Sequence, residues 1–357
     1  MKKIKAHAFI MVLVFAAVCL LSMKTRASAR EDRTAVTIDG IQYNLERKNY
    51  AIASIDFVRG NGLRTELYIP NQVEYQGVTY KVRLFCWGDD RIYSNRNYTW
   101  ADDISISDKE HSYFHCLKKI TFANGVLVKG YCYGYEQLQQ VTLENPNNML
   151  VAYYNNCPKL ESLFLPEKMM GANIKNCPSL QLRVAPQNNN IMVLDGAIYS
   201  KDGKKLVSVY RSTENYHIRE GVESLDHYAM WGDETIRHLY LPDSLKNIDG
   251  VDHILNLQSI HFGKKIKSID FEMLRYTRKL KRIDFPKNIW KIRGSDNDMN
   301  CVNKVYIYAK KLHKNTYFSG NTKKFTFYVK NSTVRSQLRK KGFKGKIVIR
   351  KNMKYKK

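Results

Sequence analysis

The sequence predicts a mainly β solenoid with coils of about 20–23 residues, a small β cap at its N-terminal side and one inserted β-hairpin. Three observations carry that prediction. Short apolar-x-apolar triplets recur along the chain, and from Ile218 onward their last residues stand 23, 21, 23, 22, 20 and 22 positions apart. A second apolar pair follows the first at a matching distance in several of these units. The composition, 44% hydrophobic and 12% aromatic over 357 residues, supplies enough apolar surface for a long core and too much for a disordered chain.

The triplets are Ile120-Thr121-Phe122, Val141-Thr142-Leu143, Leu163-Phe164-Leu165 and Leu182-Arg183-Val184. After an interruption come Tyr216-His217-Ile218, Leu239-Tyr240-Leu241, Ile260-His261-Phe262, Ile283-Asp284-Phe285, Val305-Tyr306-Ile307, Phe325-Thr326-Phe327 and Ile347-Val348-Ile349. Side chains alternate between the faces of a strand, so the outer members of each triplet face a core and the middle one faces solvent. The following pairs, Val222 and Leu225, Leu245 and Ile248, Ile266 and Ile269, Ile289 and Ile292, fit a tight turn or second short strand facing the same interior. Pro166, Pro242 and Pro286 end the first strand, where a missing amide donor does least harm. One coil cannot bury its own apolar face, whereas stacked coils share a continuous core.

The remaining segments frame this stack. Lys2, Lys3 and Lys5, an apolar run over 8–21 and the Ala27-Ser28-Ala29 exit describe a secretory signal peptide over 1–29. Lys24 and Arg26 keep an uncleaved anchor as the alternative. Residues 30–82 are expected to form the N-terminal β cap and first rung, with Leu67-Tyr68-Ile69-Pro70 as that rung and a turn inside Tyr75–Tyr80. Residues 83–191 form a first repeat block, in which the polar stretch 87–112 is a loop or degenerate repeat. Residues 192–215 form the hairpin, turning at Ser200–Lys204, residues 216–330 a second repeat block, and 331–357 a basic cap.

Charge sits at the ends: 1–29 carry five basic and no acidic residues, and 301–357 carry 18 basic and none acidic. Cysteines after the leader are sparse for a disulfide-built fold and show no metal-ligand spacing. Cys157 and Cys177 share the phrase Asn-Cys-Pro, followed by Leu160 and Leu180, and are expected as buried thiols in a ladder, with a disulfide between rungs left open.

The phrases spanning 193–207 (Val-Leu-Asp-Gly-Ala-Ile-Tyr-Ser-Lys-Asp-Gly-Lys-Lys-Leu-Val), 218–230 and 236–248 (Ile-Arg-His-Leu-Tyr-Leu-Pro-Asp-Ser-Leu-Lys-Asn-Ile) resemble the BspA-like class of bacterial leucine-rich repeats. Asp249 takes a place that is usually glycine, and Met230 one that is usually phenylalanine. The resemblance covers roughly 36–350 and is strongest over 192–290. It implies a leucine-rich repeat stack without catalytic apparatus or cofactor. It also implies secretion or display at the cell surface or periplasm of a Gram-negative, Bacteroides-type bacterium, and use in adhesion or recognition.

Two candidate surfaces follow. The middle residues Phe164, His217, Tyr240, His261, Asp284, Tyr306 and Thr326 are expected to form an exposed column, one strand spacing per rung, able to hold a host extracellular protein or glycan. Ordinary exposed-strand composition is the plain alternative. Arg339, Lys340, Lys341, Lys344, Lys346, Arg350 and Lys351 are candidates for contact with a polyanion such as an anionic envelope component, or a solubilising cap. Nucleic acid is not expected, since no recognition helix, zinc finger or RNA-binding signature accompanies the charge. His111 and His115 stand four apart beside Cys116, yet Leu117 precedes Ile120 as Leu160 precedes Leu163, so the stretch reads as a repeat opening. No metalloprotease, nucleophile-elbow or phosphate-loop motif is present, and a glycan-active hydrolase stays remote. The mature chain is expected to be monomeric and without a membrane span.

Overall fold

The computed structural model describes residues 34–39, 41–46, 48–55, 65–86, 116–169, 172–248, 250–295, 301–320 and 322–355. The expected signal peptide over 1–29, the 87–112 stretch and the His111/His115 pair lie outside the described residues.

The chain opens as an antiparallel hairpin, Thr34–Ile38 with Ile41–Glu46, around a left-handed Asp39 (φ 53°), and Tyr50–Ile55 adds a third antiparallel strand. Tyr50–Ile55 then pairs in parallel with Val78–Cys86, and the sheet continues in parallel through Leu127–Tyr133, Met149–Asn155 and Asn173–Lys175. Glu66–Ile69, Lys119–Phe122, Gln140–Leu143, Ser162–Leu165 and Gln181–Val184 build a second parallel sheet. Each coil therefore contributes to both walls. The outer triplet residues Ile120, Phe122, Leu163 and Leu165 fill the space between, joined by Leu117, Leu138, Leu160 and Leu180 from the turns. The expected first rung at Leu67–Ile69 is present, and Val78–Cys86 runs through position 82 from cap into block.

The expected hairpin is present, Ala197–Ser200 pairing antiparallel with Lys205–Val209 across the Ser200–Lys204 turn, and Ile191–Leu194 adds a third antiparallel strand to make a meander. The extra turn lies at Asp195-Gly196, whose φ angles of 50° and 77° suit a two-residue hairpin. Both faces of this meander are buried. Ile191, Ile198 and Tyr210 pack into the first core, and Ala197, Tyr199, Leu206 and Val209 into the second. Period-two alternation of apolar residues on both faces makes it a partition between two cores. Polar anchors fix it. Asn188, fully buried, donates to the carbonyls of Pro166 and Met169 and accepts from the amides of Asn190 and Ile191. Ser208 satisfies both the amide and the carbonyl of Ile174.

Beyond it the solenoid resumes. Asn215–His217, His238–Tyr240 and Ser259–His261 form one parallel sheet, and Arg282–Phe285, Lys304–Ile307, Thr326–Val329 and Lys346–Ile349 another. The ladder breaks between His261 and Arg282. The opposite wall contains Ser268–Asp270, Lys291–Ser295 and Tyr317–Ser319. Leu241, Phe262, Phe285 and Ile307 all point into one core, with Leu245, Ile248, Ile266, Ile269, Ile289 and Ile292 facing them. A helix, Ser332–Lys340, covers the last coils with Val334 and Leu338, and Asn331 caps it by accepting from the Val334 amide at 2.9 Å.

One triplet is displaced. Val305 pairs with Phe327, Tyr306 with Tyr328 and Ile307 with Val329, so the rung is Phe327-Tyr328-Val329 and not Phe325-Thr326-Phe327. Alternation runs unbroken through Phe-Thr-Phe-Tyr-Val and fits both registers. The turn at Thr322–Lys324 decides, taking Phe325 into the core ahead of the strand, where its amide bonds to the Thr322 carbonyl.

Candidate functional site

The outward face of the second block carries two rows of side chains, because residues two apart on a strand share a face. One row runs His217, Tyr240, His261, Asp284, Tyr306, Tyr328 and Val348; the other runs Asn215, His238, Ser259, Arg282, Lys304, Thr326 and Lys346. Thr326 thus belongs beside Lys304, and Tyr328 takes its expected place. Phe164, 36% exposed, lies on the first block's sheet, which ends at Gln181–Val184, so it is not part of the His217 row.

Strand spacing brings equivalent rings face to face. His217 and Tyr240 stack at 4.0 Å with planes 2° apart, Tyr240 and His261 at 4.3 Å and 3°, and Tyr306 and Tyr328 at 4.4 Å and 10°. Tyr240 has both ring faces covered, and His217 and His261 each give one face to it. His261 is linked through Ser259 to His238, whose Nδ1 lies 2.9 Å from the Ser259 hydroxyl. Burial, with His238 adding to it, lowers the pKa of His261 below the ordinary histidine value.

At the ladder break the face changes character. Arg282 grips Asp284 in a bidentate pair at 2.7 and 2.8 Å, and the Tyr308 hydroxyl donates to the same carboxylate at 2.9 Å. The Arg282 guanidinium also lies over the Tyr306 ring at 3.9 Å. Tyr306, expected to be exposed, is therefore buried under its neighbours. Burial and the bond to Asp284 push the Tyr308 phenol up to about 12. The end of the described chain folds back here: the Tyr355 hydroxyl accepts from the Phe262 amide at 3.4 Å, and its ring meets Tyr308 edge-on. Phe262 stands at the break, so Tyr355 takes up the amide there. Arg282, Tyr308, Tyr328 and Tyr355 are members of this surface that sequence reasoning missed. The pairing of Tyr328 was legible in principle from the 22-residue step between Ile307 and Val329.

The basic residues divide. Arg339 and Lys340 occupy the last helical turn and Lys341 follows it, where positive charge complements the helix dipole. Arg339 donates to the Phe343 carbonyl at 2.8 Å, Lys341 to the Lys314 carbonyl, and Arg350 lies over the Tyr328 ring at 4.7 Å. Lys340, Lys344, Lys346 and Lys351 are exposed. The thiols of Cys132, Cys157 and Cys177 are free and buried, with 3.6 Å between the sulfurs of Cys132 and Cys157. Among the described residues no group of three or more histidine, cysteine or acidic side chains is placed to hold a metal ion, and no helix is long and apolar enough to cross a membrane.

Parallel strands stacked coil on coil, with a buried leucine or isoleucine at a fixed place in each turn, define a leucine-rich repeat solenoid. Residues 207–336 match the model of the BspA type leucine-rich repeat region, in six copies. Among solved structures, the pneumococcal vaccine antigen PcpA is 13% identical with a TM-score of 0.47, the match covering 89% of this chain and 98% of that one. A leucine-rich cell surface protein from Faecalibacterium prausnitzii is 15% identical with a TM-score of 0.37 (90% and 99% covered). A leucine-rich repeat protein from Bacteroides ovatus is 18% identical with a TM-score of 0.30 (80% and 99% covered). No curated protein matches the chain.

Proposed function

We propose that this chain is a non-enzymatic binding protein, secreted or held at the surface of a Bacteroides-type bacterium, that recognises a host extracellular protein through the strand face of its second repeat block. The observation that carries this reading is the in-register row of His217, Tyr240 and His261, whose mutual stacking covers both faces of Tyr240 and one face of each histidine and presents the ring edges side by side. Such edges offer hydrogen bonds to a polypeptide from a surface already held rigid, so little ordering entropy opposes docking. An array of extracellular-matrix proteins, probed with the chain at two salt concentrations, tests it. Saturable binding to at least one protein is expected, weakened about tenfold or more in the triple variant His217→Ala, Tyr240→Ala, His261→Ala. Unchanged binding by that variant, with its circular dichroism intact, removes this face from consideration.

A second reading rests on the exposed lysines of the basic end. Contact with an anionic envelope component through Lys340, Lys344, Lys346 and Lys351 predicts retention on anionic vesicles that falls with salt and with replacement of these four by glutamine. Retention indifferent to both changes excludes it.

A further inference from the structure

A different corner of the coil carries a second set of aromatic residues. Among the described residues, six turns pass through one residue in left-handed backbone four positions before a buried aliphatic. The series is Gly134, Asn156, Asn176, Gly232, His253 and Tyr276, ahead of Leu138, Leu160, Leu180, Ile236, Leu257 and Leu280. Corner hydrogen bonds run from Gly134 to the Asn155 carbonyl, Asn156 to Lys175, Gly232 to His253 and His253 to Arg275, so these positions are neighbours in space. Glycine and asparagine take left-handed backbone readily and histidine more often than most residues, whereas a tyrosine there is an outlier, and such outliers cluster at ligand-binding sites. His253 and Tyr276 both hold φ at 59°.

Their rings line a groove of about 740 Å³, of the size that small-ligand clefts have, where first and second blocks meet. His253 and Tyr276 lie 4.2 Å apart with planes 28° off parallel, Trp231 and His253 4.8 Å apart at 40°, and Tyr228 and Trp231 meet edge-on. Unlike the strand-face rings, these splay, and Tyr276 is 47% exposed. Two opposite-charge pairs stand in the lining, Asp270 with Arg293 at 3.3 Å and Glu272 with Arg275 at 3.0 Å, and the Asp252 carboxylate lies 2.7 Å from a His253 ring nitrogen. The Arg293 Nε is buried without a hydrogen-bond partner among the described residues. An exposed aromatic ring beside paired carboxylate and guanidinium groups suits a ligand that is uncharged, flat on one side and rich in hydroxyls.

We propose that this groove is a carbohydrate site for a short neutral oligosaccharide, one sugar ring lying on the exposed face of Tyr276 and its hydroxyls meeting Asp270, Arg275 and Arg293. The site is independent of the strand face.

Titration of the full chain with neutral oligosaccharides, namely cellotriose, maltotriose, mannotriose, xylotriose and chitotriose, followed by tryptophan fluorescence and by calorimetry, tests it. Saturable binding of at least one at up to 10 mM is expected, insensitive to salt. It should weaken about tenfold in Tyr276→Gly and stay unchanged in Tyr240→Ala. Because glycine suits the left-handed corner, Tyr276→Gly should melt no lower than the parent, which separates lost binding from lost folding. No binding of any neutral probe, equal binding by Tyr276→Gly, or binding confined to acidic saccharides and removed by salt would each overturn the proposal.

Discussion

Replacing Lys175 by methionine tests how the junction between the two blocks is held. Lys175 is 3% exposed, with its ammonium 5.4 Å from the centre of the Trp231 ring and 6.0 Å from that of Tyr228. Burial drags its pKa from 10.5 to about 7, against the opposing pull of Asp252, Asp233 and Asp226. Between those two values the unfolded chain holds a proton that the folded chain has released, so stability rises with pH across this window. Below about 7 the ammonium is charged in both states, and the full cost of burying it is present. From pH 7 to pH 9 the difference in bound protons grows from about one half to nearly one, worth about 2 kcal/mol at ~1.4 kcal/mol per pH unit. Methionine keeps the stem and removes the charge. Urea unfolding of both proteins at pH 7 and pH 9, at constant ionic strength, should find Lys175→Met the more stable at pH 7. That margin should shrink by about 2 kcal/mol at pH 9. Tyr153, whose phenol burial raises, stays neutral across this range. The other surface charges are common to both proteins and cancel in the difference. A margin equal at the two pH values would refute the reasoning.

A paired glycine test separates close packing from backbone freedom. A Cβ on Gly263 would stand 1.9 Å from the Pro242 carbonyl oxygen, so Gly263→Ala should cost about 3 kcal/mol; Gly232→Ala, with open space around it and only a φ of 77° to resist it, should cost about 1 kcal/mol. Melting curves check the ranking, and equal losses would contradict it. For the thiols, burial raises the pKa of Cys132, and hydrogen bonding among the three raises those of Cys157 and Cys177. Iodoacetamide at pH 8 should therefore label Cys116 and Cys301, which are only partly buried, well before these three, as read by peptide mapping. Comparable rates at all five would show that the first core opens readily.

The repeat was legible because it is a pattern of burial, and burial is what a period in apolar residues encodes. Leu117, Leu160 and Leu180 each mark a turn before a strand, and the structure buries all three. What resisted reading lacks such a pattern. Phe325-Thr326-Phe327-Tyr328-Val329 alternates throughout, and only pairing with Val305 selects its register. Asp195-Gly196 added a turn to a segment whose longer polar turn was more conspicuous. Tyr355 meets Phe262 across 93 positions, a contact no local spacing announces. His253 and Tyr276 hold left-handed corners without the glycine that would mark one, although counting four residues back from Leu257 and Leu280 lands on both.

That last pair bears on why one solenoid can offer two kinds of surface. Successive strands lie ~4.8 Å apart, close to the stacking distance of aromatic rings. On a flat strand row, rings at equivalent positions therefore stack on each other, as His217, Tyr240 and His261 do within 3° of parallel, and what faces outward is edge and polar atom. At a left-handed corner the spacing is similar, but the rings are splayed by 28° and 40°, and Tyr276 keeps an exposed face. The same residue types thus turn ring edges outward on one side and leave an exposed ring on the other. The backbone conformation at the corner, more than the choice of aromatic residue, decides which chemistry reaches solvent.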